Sequence, residues 1–278
     1  MKFFLCALLA ACGGPSDRPT TDGGNGNGDG NGQNGDGCSD EAKSVYVVDQ
    51  NNTLSRFDPP TKAFTDLGQL NCPASGGATP FSMGIDRTAV AWVLYSSGEL
   101  FRVDTTSLNC TKSTWTSQLG IQQFGMGFST DAAGGNVDTL FIAGGSGPTQ
   151  PTSQLAKLST TTFQAQGVGT VQGWPELTGT GNAELWGFFP DATSPRIAQL
   201  DKTNGSALKT YPLTIAGMPT AWAFAFWGGD FWVFLMKGLE TSTTIYQYDA
   251  TGQPKSMKMA PGRTIVGAGV STCAPVIL

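Results

Sequence analysis

The hydrophobic positions of this chain form short runs that recur at a nearly constant distance. The five most regular runs share an aromatic residue at their second position: VYVV at 45–48, AWVL at 91–94, LFIA at 140–143, LWGF at 185–188 and FWVF at 231–234. Successive aromatic residues are separated by 46, 49, 45 and 46 positions. Short apolar runs bounded by turn residues predict buried strands, so the chain is predicted to repeat one β unit five times.

A second run, in which apolar and polar residues are interleaved, follows each aromatic run. The five copies are LSRFDPPT at 54–61, LFRVDTTS at 100–107, LAKLSTTT at 155–162, IAQLDKTN at 197–204 and IYQYDATG at 245–252. A long polar residue between two apolar ones is typical of a strand with one buried face. The Asp or Ser that ends the run predicts a tight turn. We therefore assign a structural capping role to the recurrent aspartates, which are Asp58, Asp104, Asp201 and Asp249.

A third run, rich in Gly and Ala, precedes each aromatic run. Its copies are FSMGID at 81–86, FGMGFS at 124–129, LTGTGN at 177–182, AFAFWG at 223–228 and TIVGAG at 264–269, and a fourth run such as AFTDLG at 63–68 ends each unit. Small residues suit strands that converge closely on one axis. Four strands in a repeat of about 40–50 residues predict a β-propeller. We therefore expect an all-β fold with five blades, whose strands we name A (innermost) to D (outermost).

The order of the runs predicts how the ring closes. The first blade begins with a B strand at Val45, and the last A strand, at 264–269, has no B strand after it. Pairing of this C-terminal strand with the N-terminal blade would remove an exposed edge. The aromatic residues of the B strands are expected to pack between blades, with a role in stacking a cofactor as the alternative.

The N-terminus contains an apolar segment of a different kind. Met1 and Lys2 precede the apolar residues 3–11, and Leu9-Ala10-Ala11-Cys12 closes the segment, which is the pattern of an export signal. It resembles the bacterial lipoprotein signal with its lipobox. The resemblance implies removal of residues 1–11, lipidation of Cys12 and, because Gly13 rather than Asp follows, anchoring to the outer membrane of the cell envelope. An ordinary secretory signal with a chance cysteine is the alternative.

Residues 12–37 are predicted to link the lipidated Cys12 to the propeller, which occupies 38–278. Between 13 and 37, ten of twenty-five residues are glycine, and none is aliphatic or aromatic. Such a segment cannot bury enough apolar surface to offset its ordering entropy. Its Asp/Asn/Gly alternation lacks the bidentate Glu of an EF-hand loop, so we interpret it as a flexible tether rather than a calcium site.

Four cysteines belong to the predicted propeller: Cys38, Cys72, Cys110 and Cys273. An even number in an exported domain indicates disulfides, with three possible pairings. The ring favours Cys38–Cys273, which would lock the closure, and Cys72–Cys110, which would join blades 1 and 2. A zinc site is the alternative, but no CxxC spacing is present.

Composition narrows the possible chemistry. Histidine is absent and only 13% of residues are charged, with a net charge of −5. The lack of histidine excludes Ser-His-Asp and Cys-His nucleophiles and His-ligated metals. The lack of a basic cluster argues against nucleic acid. We predict no metal, no cofactor and a monomer.

The candidate binding face carries the B–C and D–A loops, because propeller ligands commonly lie over the central channel there. Its longest B–C loops are at 144–153 and 237–244, which contain Gln150, Lys237 and Glu240. Trp174, on a D–A loop, is either an exposed aromatic contact or partly buried packing. The tether is predicted to join the opposite face, so the candidate face would point away from the membrane.

The sequence therefore favours a membrane-anchored extracytoplasmic binding or scaffold lipoprotein that presents this face to a protein or polymer. A lectin-like module is one alternative. Another resembles the five-bladed glycosidases, which use channel carboxylates; such hydrolysis needs two carboxyl groups about 5–10 Å apart. Near the inner strands, Asp86 and Glu176 are the candidates.

Overall fold

The computed structural model describes residues 37–277. The predicted signal peptide, Cys12 and nearly all of the predicted tether lie outside the described residues. Within 37–277 the strands form five antiparallel four-stranded sheets, arranged as a five-bladed β-propeller. The fold predicted from the repeat is confirmed.

Each blade is built from four strands, in order from the innermost to the outermost. Blade 1 contains β20 (Ile265–Gly269), β1 (Val45–Asp49), β2 (Thr53–Asp58) and β3 (Ala63–Gln69). Blade 2 contains β4 (Pro80–Ile85), β5 (Val90–Tyr95), β6 (Leu100–Asp104) and β7 (Cys110–Lys112). Blade 3 contains β8 (Gln123–Thr130), β9 (Asp138–Gly145), β10 (Thr152–Leu158) and β11 (Ala165–Gln172). Blade 4 contains β12 (Glu176–Gly179), β13 (Leu185–Phe189), β14 (Arg196–Leu200) and β15 (Ala207–Pro212). Blade 5 contains β16 (Pro219–Trp227), β17 (Asp230–Lys237), β18 (Thr243–Asp249) and β19 (Pro254–Ala260). Short 3-10 helices span Glu41–Lys43 and Ser75–Gly77.

The ring closes as the order of the runs predicts. Strand β20 pairs antiparallel with β1, and Val47 lies opposite Ala268. A disulfide between Cys38 and Cys273, whose Cα atoms are 5.8 Å apart, links the segments that flank this pair of strands. The second disulfide joins Cys72 to Cys110, with Cα atoms 5.0 Å apart, and so connects blades 1 and 2. Two disulfides are typical of proteins that fold in an oxidising compartment.

Apolar side chains fill the spaces between neighbouring blades in five clusters, one for each interface. All five predicted aromatic residues of the B strands are at most 4% exposed: Tyr46, Trp92, Phe141, Trp186 and Trp232. Each lies opposite the long polar residue of the adjacent C strand; the guanidinium of Arg56, for example, lies 5.8 Å from the centre of the Tyr46 ring. Their position is that of core residues.

Glycine is required on the inner strands because neighbouring backbones approach closely. A Cβ on Gly125 would lie 2.8 Å from the Cα of Glu176, and one on Gly127 would lie 2.8 Å from the Cα of Thr178. Real Cβ atoms do not approach that closely, so larger residues would push blades 3 and 4 apart.

The apolar stretch 221–236 forms the hairpin of β16 and β17, with its turn at Gly228 and Gly229. Within the described part of the chain, no helix is long and apolar enough to cross a membrane.

Candidate functional site

The meander of each blade divides the ring into two faces. Because adjacent strands are antiparallel, the A–B and C–D turns lie on one face, which we call the closure face, and the B–C and D–A connections lie on the other, which we call the loop face. The described chain enters β1 and leaves β20 on the closure face, where Cys38 is bonded to Cys273.

A cavity of about 510 Å³ opens at the centre of the loop face, and we call it the axial pocket. All five blades contribute to its lining, through the starts of the inner strands and the B–C connections. Its volume lies within the range typical of small-molecule sites.

Three aromatic residues and four prolines contribute to the pocket wall. The aromatic residues are Phe81 on β4, Trp174 before β12 and Trp222 on β16. Trp174 is 5% exposed, so its interpretation as an exposed contact is wrong. It packs beside Gly145, where an added Cβ would lie 3.4 Å from the indole ring, and it still borders the pocket.

Among the described residues that line the pocket, Glu176 is the one with an ionisable side chain, and it is 2% exposed. It is the first residue of β12 in blade 4, yet its Oε1 accepts a hydrogen bond from the hydroxyl of Ser82 on β4 in blade 2. The side chain therefore passes over the inner strand of blade 3, where Gly125 leaves room for it: a Cβ there would lie 3.0 Å from Glu176 Oε2. The backbone N–H of Met126, on the same strand, also donates to the carboxyl group.

Burial governs the protonation of this carboxyl group. Loss of solvation raises the pKa of Glu176 well above its usual range, and the hydrogen bonds from Ser82 and Met126 offset the rise only in part. Glu176 is also the single ionisable residue on the five inner strands that the structure describes.

The two carboxyl groups considered for hydrolysis do not form a pair. Glu176 begins an inner strand on the loop face, whereas Asp86 follows the end of β4 on the closure face. Asp86 accepts hydrogen bonds from the backbone N–H groups of Thr88 and Val90 and from the Trp92 indole. Its role is to cap a turn.

The other predicted residues of the binding face lie around the axial pocket rather than in it. Gln150 is exposed in the B–C connection of blade 3 and donates to the Ser146 hydroxyl over 2.8 Å. In blade 5, the Nζ of Lys237 lies 3.9 Å from the Oε1 of Glu240, so the two side chains form an ion pair. Lys237 borders a separate outer cavity of about 420 Å³ beside Tyr246.

An exposed apolar rim on blade 5 was not predicted. Met218 is 64% exposed at the pocket edge, and Leu239 is fully exposed. The N–H of Gly238 donates to the Met218 carbonyl over 2.8 Å, which holds the two connections together. Neither residue belongs to a repeated run, so the repeat offered no signal for them.

No family model and no curated protein matches this chain. Among solved structures, a chain of a nidogen/laminin complex is similar at 11% identity and a TM-score of 0.49, over 81% of this chain and 97% of that one. A quinonprotein alcohol dehydrogenase-like protein from Bacteroides thetaiotaomicron is similar at 12% identity and a TM-score of 0.44, over 81% of this chain and 66% of that one. Hydrazine synthase from Kuenenia stuttgartiensis is similar at 12% identity and a TM-score of 0.43, over 65% of this chain and 49% of that one. At these identities the likeness concerns the fold alone.

Proposed function

We propose that this protein is a lipid-anchored binding protein of the bacterial envelope, which contacts its partner through the axial pocket on the loop face. The observation that carries the proposal is the position of that pocket, on the face opposite the one where the described chain begins at Gly37 and Cys38. A tether attached on the closure face would leave the pocket open toward a partner rather than toward the lipid.

The anchor itself rests on the lipobox at Cys12. In a Gram-negative host, the wild-type full-length chain is expected in the membrane fraction, and Cys12→Ser is expected to remove the acyl chains and release the protein into the soluble envelope fraction. The hydrophobic free energy of two or three chains is needed for stable anchoring. Retention of the Cys12→Ser chain in the membrane would contradict the lipoprotein assignment.

The single axial pocket favours one ligand or partner over five equivalent sugar sites. The B–C connections differ among blades, from a three-residue turn at 50–52 to the six residues 146–151. A lectin with one site in each blade would need similar connections.

Site-specific photocrosslinking tests which face meets the partner. A photoreactive residue at Met218, 64% exposed beside the pocket, is compared with one at Leu208, 58% exposed on the outer strand β15. Crosslinks to one defined envelope component from Met218 and not from Leu208 would support the proposal. Equal crosslinking from both positions, or crosslinking from Leu208 alone, would reject the loop face as the binding surface.

A further inference from the structure

We infer that the axial pocket takes a ligand through a positively charged amino or ammonium group, with the Glu176 carboxylate as its counter-ion. This inference rests on the proposed function and adds the chemical class of the ligand. Three features of the pocket carry it: the charge of its lining, its aromatic wall and its volume.

In the described part of the chain, the pocket lining contains an acidic residue but no basic residue. Glu176 is its one acidic residue, and no Lys or Arg of the described chain contributes to it. The charged residues in or beside the other loop-face connections lie outside the lining: Asp49, Glu99, Asp191, Arg196, Lys237, Glu240 and Arg263. Arg263, the cation nearest to β20 in sequence, is paired with Asp66 over 2.8 Å. An anionic ligand would therefore meet a carboxyl group without a compensating cation, whereas a cationic ligand would meet its opposite charge.

The wall of the pocket suits an organic cation. Phe81, Trp174 and Trp222 border the cavity, and the faces of aromatic rings attract ammonium groups through their quadrupoles. A compact amine can place its charge at the Glu176 end and its methyl or methylene groups against the rings. The volume of about 510 Å³ is sufficient for such a ligand.

A structural explanation of Glu176 must be separated from recognition. Its carboxyl group bridges blades 2 and 4 through Ser82, and a bridge requires a hydrogen-bonding group of this length but not a negative charge. Glutamine has the same length and offers an acceptor to Ser82 and to the Met126 N–H. Glu176→Gln therefore keeps the bridge and removes the charge, and Ser82→Ala removes the bridge and keeps the charge.

Binding of a cation should release a proton from the Glu176 carboxyl group. Strands β4, β8, β13 and β16, which pack around β12 and its Glu176, contain no ionisable residue. Strand β9 also contacts β12, and its Asp138 lies at the closure-face end of the strand, away from Glu176. Burial raises the pKa of the free Glu176 carboxyl group well above its usual range. A bound cation lowers the pKa of Glu176. The proton then passes to the buffer, and apparent affinity falls as pH decreases through the interval between the pKa of the free protein and the lower pKa of the complex.

The test uses the full-length chain in detergent and two pairs of probes. Choline is compared with its uncharged carbon isostere, in which a tert-butyl group replaces the trimethylammonium group. Glucosamine is compared with N-acetylglucosamine, so that an amine carried by a sugar is distinguished from a free amine. Tryptophan fluorescence and titration calorimetry report binding, and calorimetry in two buffers of different ionisation enthalpy reports proton release.

We expect at least one cation to bind about tenfold or more tightly than its neutral partner, with release of a proton. Glu176→Gln should abolish both the preference and the proton release, and Ser82→Ala should retain both. Equal binding of cation and neutral isostere, an unchanged preference in Glu176→Gln, or no binding of any probe would overturn the inference. The proposed function would survive each of these results if crosslinking at Met218 still identified one partner.

Discussion

The two faces of the ring are built differently. On the closure face the turns repeat: Asp104, Asp201 and Asp249 each accept backbone N–H groups two residues ahead, and Ser159 takes the same place in blade 3. On the loop face the connections differ in length and sequence, and their inner ends surround the axial pocket.

On the closure face, polar contacts join residues of blades 2 and 3 to the C-terminal segment after β20. Arg87 donates to Asp138 over 3.2 Å and to the Thr272 hydroxyl over 2.8 Å, beside the Cys38–Cys273 disulfide. The comparison teaches that repetition stabilises one face and leaves the other free to vary, which is where binding residues are commonly found. Substitutions on the closure face and along the inner strands should therefore cost more stability than substitutions on the loop face.

Loss of the closing disulfide should have the largest effect. It joins residues 235 positions apart, so Cys38→Ser with Cys273→Ser should lower the free energy of unfolding by roughly 5 kcal/mol through the entropy of the unfolded chain. The matched control is Cys72→Ser with Cys110→Ser, whose separation is 38 and whose expected loss is roughly 4 kcal/mol.

Denaturant unfolding of both double variants measures the difference. A larger loss of stability for the Cys72 and Cys110 variant would show that the contact between blades 1 and 2, rather than the ring closure, limits the stability of the fold.

Adding a methyl group to an inner strand should lower the free energy of unfolding less than loss of a disulfide does. It should lower it more than adding a methyl group to a loop-face connection does. Gly125→Ala places a Cβ 2.8 Å from the Glu176 Cα, and overpacking of this kind costs about 1–3 kcal/mol. Gly147, in the B–C connection of blade 3, has nothing within 4 Å of an added Cβ, so Gly147→Ala should change stability by less than about 0.5 kcal/mol. Thermal unfolding of the two variants checks the contrast, and equal stabilities would mean that blades 3 and 4 have room to separate.

Substitution of a capping aspartate should have a smaller effect. Asp104 accepts the N–H groups of Thr106 over 2.9 Å and Ser107 over 2.8 Å, and loss of such a cap costs about 1 kcal/mol. Asp104→Ala should show this loss in urea unfolding at neutral pH, whereas Asp104→Asn keeps an acceptor and should lose less.

The same residue makes a pH-dependent contribution. The Ser107 N–H, above all, lowers the pKa of Asp104 in the folded protein from its ordinary value of 3.8. Since the folded pKa is the lower one, this stabilisation is present above the ordinary value and is lost as pH falls below it. The stability of Asp104→Asn should therefore decrease less between pH 5 and pH 3 than that of the wild type; parallel curves would contradict the assignment.

The exposed rim of blade 5 should have the smallest effect on folding. Leu239 is fully exposed, so Leu239→Ser should alter the free energy of unfolding by less than about 0.5 kcal/mol. Thermal unfolding checks this, and a larger loss would show that the rim supports the fold and is not free for a partner.

Much of the fold could be predicted because its signals are local and repeated. The B-strand aromatic residues, the small residues of the A strands and the aspartates after the C strands each recur once in nearly every unit. The position of the last A strand then predicted its pairing with β1, and that closure favoured the Cys38–Cys273 pairing. Each inference needed only strand order and residue size.

The candidate site depended on contacts that no repeat encodes. Glu176 and Ser82 are 94 residues apart and two blades apart, and Trp174 is buried by neighbours that the ring brings to it. The sequence by itself determined the blades, their number and their closure, because strand periodicity and small residues act within one unit or between adjacent units. Only the tertiary structure decided which side chains meet at the axis, because there the chemistry depends on the curvature of the whole ring.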